Sequence, residues 1–133
     1  MVQGYTTVKQ SKFLVELGLD PKTADMCYPH FTRSGEDAYA EIPKIAKNID
    51  YPHEMLCWSL TTLLELMPPH LFEWERGIDL NIYRNLNSKG WHVSYMPNNI
   101  NDMKKDKFRQ ITNGNLIDAA FEMICWLIEQ KRI

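Results

Sequence analysis

Residues 115–130 constrain this chain most, because apolar side chains run nearly all the way round them when they are set out as a helix. At about 100° per residue, Asp118, Glu122 and Glu129 share one narrow stripe, with Cys125 inside it. Leu116, Ile117, Ala119, Ala120, Phe121, Met123, Ile124, Trp126, Leu127 and Ile128 occupy the rest. A helix resting on one open sheet face needs a much narrower apolar sector. This one is expected to be covered on several sides, by other elements of its own fold or by a second subunit. Phe121, Ile124, Trp126 and Ile128 are therefore the candidate self-association residues. The ends are also marked. Asn113-Gly114-Asn115 is turn chemistry, Asn115 is a cap, and Asp118 at the third position meets free N–H groups. Lys131 and Arg132 sit at the negative end of the dipole.

An N-terminal helix is signalled by Thr7 as cap, with Gln10 three residues on completing a capping box. Val8, Leu14, Val15 and Leu17 give it an apolar face, and Gly18 ends it in a left-handed position with Leu19 folding back. Asp20-Pro21 restarts the chain in a short helical piece to about Met26. Residues 28–50 hold Pro29, Gly35 and Pro43 with a polar run between, which predicts a long surface loop. A central helix is expected from a cap at Asp50, through Pro52 and Glu54, to the stop at Pro68-Pro69. Its core stripe is Leu56, Leu60, Leu63, Leu64 and Met67. Ile78, Leu80 and Ile82 alternate with Asp79, Asn81 and Tyr83, and Trp91, Val93 and Tyr95 alternate with His92, Ser94 and Met96. The two make a hairpin, and a third strand is expected over residues 108–112. The fold class is α+β: a three-stranded antiparallel meander packed with an N-terminal, a central and a long C-terminal helix.

Composition sets few further limits. With 133 residues, 44% hydrophobic and 24% charged, the chain suits a single domain over residues 1–133 that buries roughly two-thirds of its unfolded surface. A net charge of −2 gives no general pull toward nucleic acid. The basic residues Lys104, Lys105 and Lys107 read as solvated surface charge. The apolar run near the C-terminus falls short of the ~20 residues of a membrane span. Cys27, Cys57 and Cys125 are odd in number and scattered, and no leader pattern opens the chain, so the expected setting is cytoplasmic with reduced thiols.

Two constellations carry possible chemistry. Cys27 and His30, with His53 and Cys57, offer the thiolate and imidazole ligands that zinc prefers, though the spacing between the pairs matches no standard finger. A buried Cys27 beside loop histidines is the plainer reading. His53 and Cys57 would also share one face near a helix N-terminus, where the dipole lowers a thiol pKa. No group to orient the imidazole and no oxyanion site accompanies them, and Cys57 between Leu56 and Trp58 fits core packing. There is no phosphate-binding glycine loop and no metalloprotease helix motif, and no cofactor is implied.

Three blocks add a resemblance. They are Thr23-Ala24-Asp25-Met26-Cys27-Tyr28; Cys57-Trp58-Ser59-Leu60 running on to Leu63-Leu64-Glu65-Leu66-Met67-Pro68; and Leu116-Ile117-Asp118-Ala119-Ala120-Phe121-Glu122-Met123 with Cys125-Trp126-Leu127. With the segment from Thr6-Thr7 to Gly18, these resemble a group of small proteins from prophage and mobile-element regions of gut Bacteroides, over a little under half the chain. That resemblance implies an accessory protein and brings no activity with it. The order of helix, meander and closing helix also resembles the small α–β–α sandwich domains of other phage proteins. The expected role is protein–protein contact without catalysis, with a second copy or another protein as partner and no nucleic acid or membrane. The alternative is a small zinc- or thiol-dependent hydrolase using Cys27, His30, His53 and Cys57.

Overall fold

The computed structural model describes residues 4–33, 36–40, 42–45, 55–73, 76–85, 87, 89–96 and 108–133. Helix α1 spans Val8–Leu17. Its cap is the expected reciprocal one, with the Thr7 hydroxyl accepting from the Gln10 N–H and the Gln10 side chain accepting from the Thr7 N–H. Gly18 closes it at φ 107°, and the Leu19 N–H donates to the Leu14 carbonyl at 3.0 Å. Asp20 caps a single 3-10 turn over Pro21–Thr23.

The chain then becomes strand where helix and loop were expected. Strand β1 is Met26–Tyr28, β2 His30–Arg33, β3 Glu36–Tyr39, β4 Lys44–Ile45 and β5 Met55–Cys57. β4, β1 and β5 form an antiparallel sheet in that order, while among the described residues β2 and β3 form a two-stranded sheet of their own. The hairpin was hidden because its strands are largely polar and show no apolar alternation. The expected central helix is also shorter. Helix α2 covers Leu60–Leu66, capped by Ser59, whose hydroxyl accepts from the Thr62 N–H. Leu56 fitted the helical stripe by spacing alone and lies on β5, and the expected cap at Asp50 lies outside the described residues.

The expected three-stranded meander is present, and one further strand extends it to a four-stranded antiparallel sheet among the described residues. Its order is β6 (His70–Glu73), β7 (Arg76–Arg84), β8 (Trp91–Tyr95) and β9 (Arg109–Asn113). β6 was missed because four residues after a double proline are too few to show a period. The register pairs Ile82 with Val93 and Val93 with Ile111, which puts one apolar row on the face toward the helices.

Helix α3 is Leu116–Glu129, with Asn115 as cap. It touches α1, α2, β8 and β9. Ile117, Ala119, Ala120, Met123, Ile124 and Leu127 are all but inaccessible, and Trp126 is 9% exposed. Its apolar girth is thus taken up inside one chain. Ile124 and Trp126, two of the four expected self-association residues, lie in the core shared with Leu14, Trp58, Leu63, Val93 and Tyr95. Phe121 and Ile128 are half-buried. Among the described residues, no helix is long and apolar enough to cross a membrane.

Candidate interaction groove

Helices α1 and α3 run side by side and enclose an open groove. Gln10 holds them together, its amide Nε2 donating to Asp118 Oδ1 at 2.8 Å. One turn further on, Phe13 meets Phe121 edge to face, with ring centroids 5.9 Å apart and planes at 62°. The groove on the α1 side has a volume of about 440 Å³ and is lined by Lys9, Gln10, Lys12, Phe13, Glu16 and Phe121. Across the two rings a shallower depression of about 300 Å³ continues past Arg109, Glu122, Cys125 and Glu129. Phe13 stays 44% exposed, with the half-buried Phe121 as its apolar neighbour. Lys12 lines the groove while its Nζ lies 5.9 Å from the centre of the Tyr39 ring on β3. The sequence reading assigned the apolar face of α1 to Val8, Leu14, Val15 and Leu17. Leu14 is fully buried, but Val15 is 42% exposed. Phe13, about 100° away from Leu14 around the helix, was passed over. An aromatic ring off the core stripe of a short helix was the available signal.

Two of the three thiols sit elsewhere. Cys27 and Cys57 are inaccessible to solvent on the neighbouring strands β1 and β5. The register sets Cys27 opposite Leu56 and Cys57 opposite Met26. Alternation along a strand therefore points the two sulfurs to opposite faces. Burial, reinforced by Cys27 and by Asp25, pushes the Cys57 thiol up to about 12. Burial likewise pushes Cys125 up to about 12, with Glu129 and Glu122 adding to it. These are the reverse of the electropositive, open surroundings that make a thiolate nucleophile. Cys57 lies on a strand, so it gains nothing from a helix dipole. His30 packs edge to face on Tyr39, with centroids 5.5 Å apart, and His53 lies outside the described residues. Among the described residues no group of three or more His, Cys, Asp or Glu side chains is placed to hold a metal.

The distinctive sequence blocks converge on a buried polar lock. Trp58 Nε1 donates to Thr23 Oγ1 at 2.9 Å. The Ser59 N–H and hydroxyl donate to the two oxygens of Asp25, at 2.8 and 2.6 Å. The Trp58 N–H donates to Thr6 Oγ1 at 3.1 Å, and Ser11 Oγ donates to the Thr7 carbonyl at 2.6 Å. With its proton so placed, Ser11 Oγ accepts from Thr6 Oγ1 at 2.8 Å. Tyr28 closes the lock by donating its hydroxyl to the Thr6 carbonyl at 2.7 Å, and burial raises its phenol well above the ordinary value. Among the described residues no buried side-chain polar atom lacks a partner. A lock so satisfied holds α1, β1 and α2 together, as buried polar groups in folded proteins are expected to do.

His92, on the sheet face turned away from the helices, is engaged in the same way. It stacks on Tyr83 with centroids 4.8 Å apart. Asn85 Oδ1 accepts from the Asn87 N–H, which turns the Asn85 amide nitrogen toward His92 Nε2 at 2.7 Å. On the other side of the ring, Gln110 Nε2 and Thr112 Oγ1 lie 3.1 and 3.0 Å from Nδ1. Comparison of the chain with protein-family models, with curated proteins and with solved structures matches nothing.

Proposed function

We propose that this protein is a non-enzymatic accessory protein of the prophage and mobile-element kind, acting through protein–protein contact at the groove between α1 and α3. One observation carries the reading: Phe13, 44% exposed, packs on the half-buried Phe121 in an open groove with charged rims. Among the described residues, Cys27 and Cys57 are inaccessible to solvent, and the ring nitrogens of His92 already have partners. Aromatic rings such as Phe13 are enriched at the cores of protein interfaces. The mobile-element setting is supported by the three sequence blocks described above.

The test is a photo-crosslinking residue placed at position 13 and irradiated in cells that express the protein. A protein adduct, to a second copy or to another chain, is the expected result, and Phe121→Ala should diminish it. Irradiation that yields no protein adduct at position 13, while the variant folds normally, overturns the reading.

A further inference from the structure

We infer that the groove receives a second copy of this chain, with α1 of one protomer lying antiparallel to α1 of the other; this rests on the protein-contact reading above. Lys9, Lys12, Phe13 and Glu16 all line the groove. At about 100° per residue they fall within a single sector of roughly 100° on α1. The strip changes sign along its length, with Lys9 and Lys12 toward the N-terminal end and Glu16 toward the C-terminal end. Among the described residues, neither Lys9 nor Glu16 has an ion-pair partner.

Such a strip is complementary to its own reverse. A two-fold axis midway between residues 12 and 13 carries position 9 onto 16 and position 12 onto 13. Lys9 then faces Glu16 of the partner subunit, and Glu16 faces Lys9 of the partner subunit. Phe13 lies against the aliphatic stem of Lys12 of the partner subunit, and the reverse contact repeats it. This is the reciprocity an isologous interface requires. A parallel arrangement would set Lys9 on Lys9 and Glu16 on Glu16. Phe121 extends the apolar floor beneath the axis, since its ring already touches Phe13.

Sedimentation velocity of the full chain, from micromolar to millimolar concentration in low salt, tests this. The expected result is a monomer–dimer equilibrium that weakens as salt is added, because exposed ion pairs are screened. Lys9→Glu and Glu16→Lys should each weaken the dimer about tenfold, each converting two symmetric attractions into repulsions. The double variant should restore it, since the swap rebuilds both pairs with the signs exchanged. Phe13→Glu should abolish the dimer while the thermal melt stays within a few degrees of the parent. A monomer at every concentration overturns the inference, and so does a double variant that is worse than either single one. If position 13 crosslinks only to a different protein, the self-pairing falls and the contact reading stands. If it crosslinks to nothing, both fall.

Discussion

Asp25 gives both carboxylate oxygens to Ser59, and Ser59 in turn caps α2. One side chain, just before β1, thereby positions the start of the helix that follows the neighbouring strand β5. Asp25→Ala removes a charged acceptor from a backbone N–H and a hydroxyl in a half-buried setting. The expected loss is about 2–3 kcal/mol of stability, read as a lower urea midpoint with unchanged slope. Tyr28→Phe deletes only the hydroxyl that reaches the Thr6 carbonyl and should lose about 1 kcal/mol. At this scale the sequence was readable where a residue acts on its neighbours. Thr7, Gly18 and Asn115 were all identifiable as caps from a few adjacent letters. Asp25 was not, because its partner lies 34 positions along the chain. Phe13 was not either, because nothing local says whether an off-stripe ring finds cover.

Helix α3 ends without a glycine. Lys131 takes up the left-handed position at φ 57°, while the Gln130 N–H donates to the Trp126 carbonyl and the Arg132 N–H to the Leu127 carbonyl at 2.8 Å. A side chain in that conformation is strained by roughly 1 kcal/mol. Lys131→Gly should therefore stabilise the protein by about 0.5–1 kcal/mol, seen as a higher melting temperature. Gly18→Ala, at φ 107° with open space around a Cβ, should destabilise by about 1 kcal/mol, from backbone strain and not from any clash. Within α3, Ile124→Ala should lose about 2–5 kcal/mol, because a fully enclosed side chain leaves a cavity. Phe13→Ala, half in solvent, should lose far less. Long elements with a strong period, such as α3 and the β7–β8 hairpin, were legible from their own residues. Short ones were not. β5 and β6 hold three and four residues, too few for periodicity to separate strand from helix.

Across the whole molecule, buried acids that resist ionisation tie folding to alkaline pH. The thiols of Cys57 and Cys125 are pushed up to about 12 when folded, against about 8.5 in an unfolded chain. Below that lower value both states hold the proton and pH has no effect. Above it the unfolded chain sheds protons that the folded one keeps, so stability falls as pH rises toward 12. The expected slope is of order 1 kcal/mol per pH unit for each thiol between about pH 9 and 11, measured by denaturant midpoints. Below about pH 10, where the raised phenols of Tyr28 and Tyr95 do not yet contribute, Cys57→Ala should remove roughly half of it. The same burial should leave Cys57 unreactive toward a thiol reagent in the native protein and fully reactive in denaturant.

The residues alone determined that the chain is α+β, where its first and last helices begin and end, and that residues 115–130 had to be hidden on nearly every side. Those properties follow from local hydrogen-bond needs and from the period of the apolar pattern, both written within a turn or two of sequence. Only the tertiary structure decided what does the hiding. It set α1, α2, β8 and β9 around α3, put Cys27 and Cys57 out of reach of solvent, and left Phe13 in the open. Burial depends on which distant segments arrive at a surface, and no short window of sequence contains that.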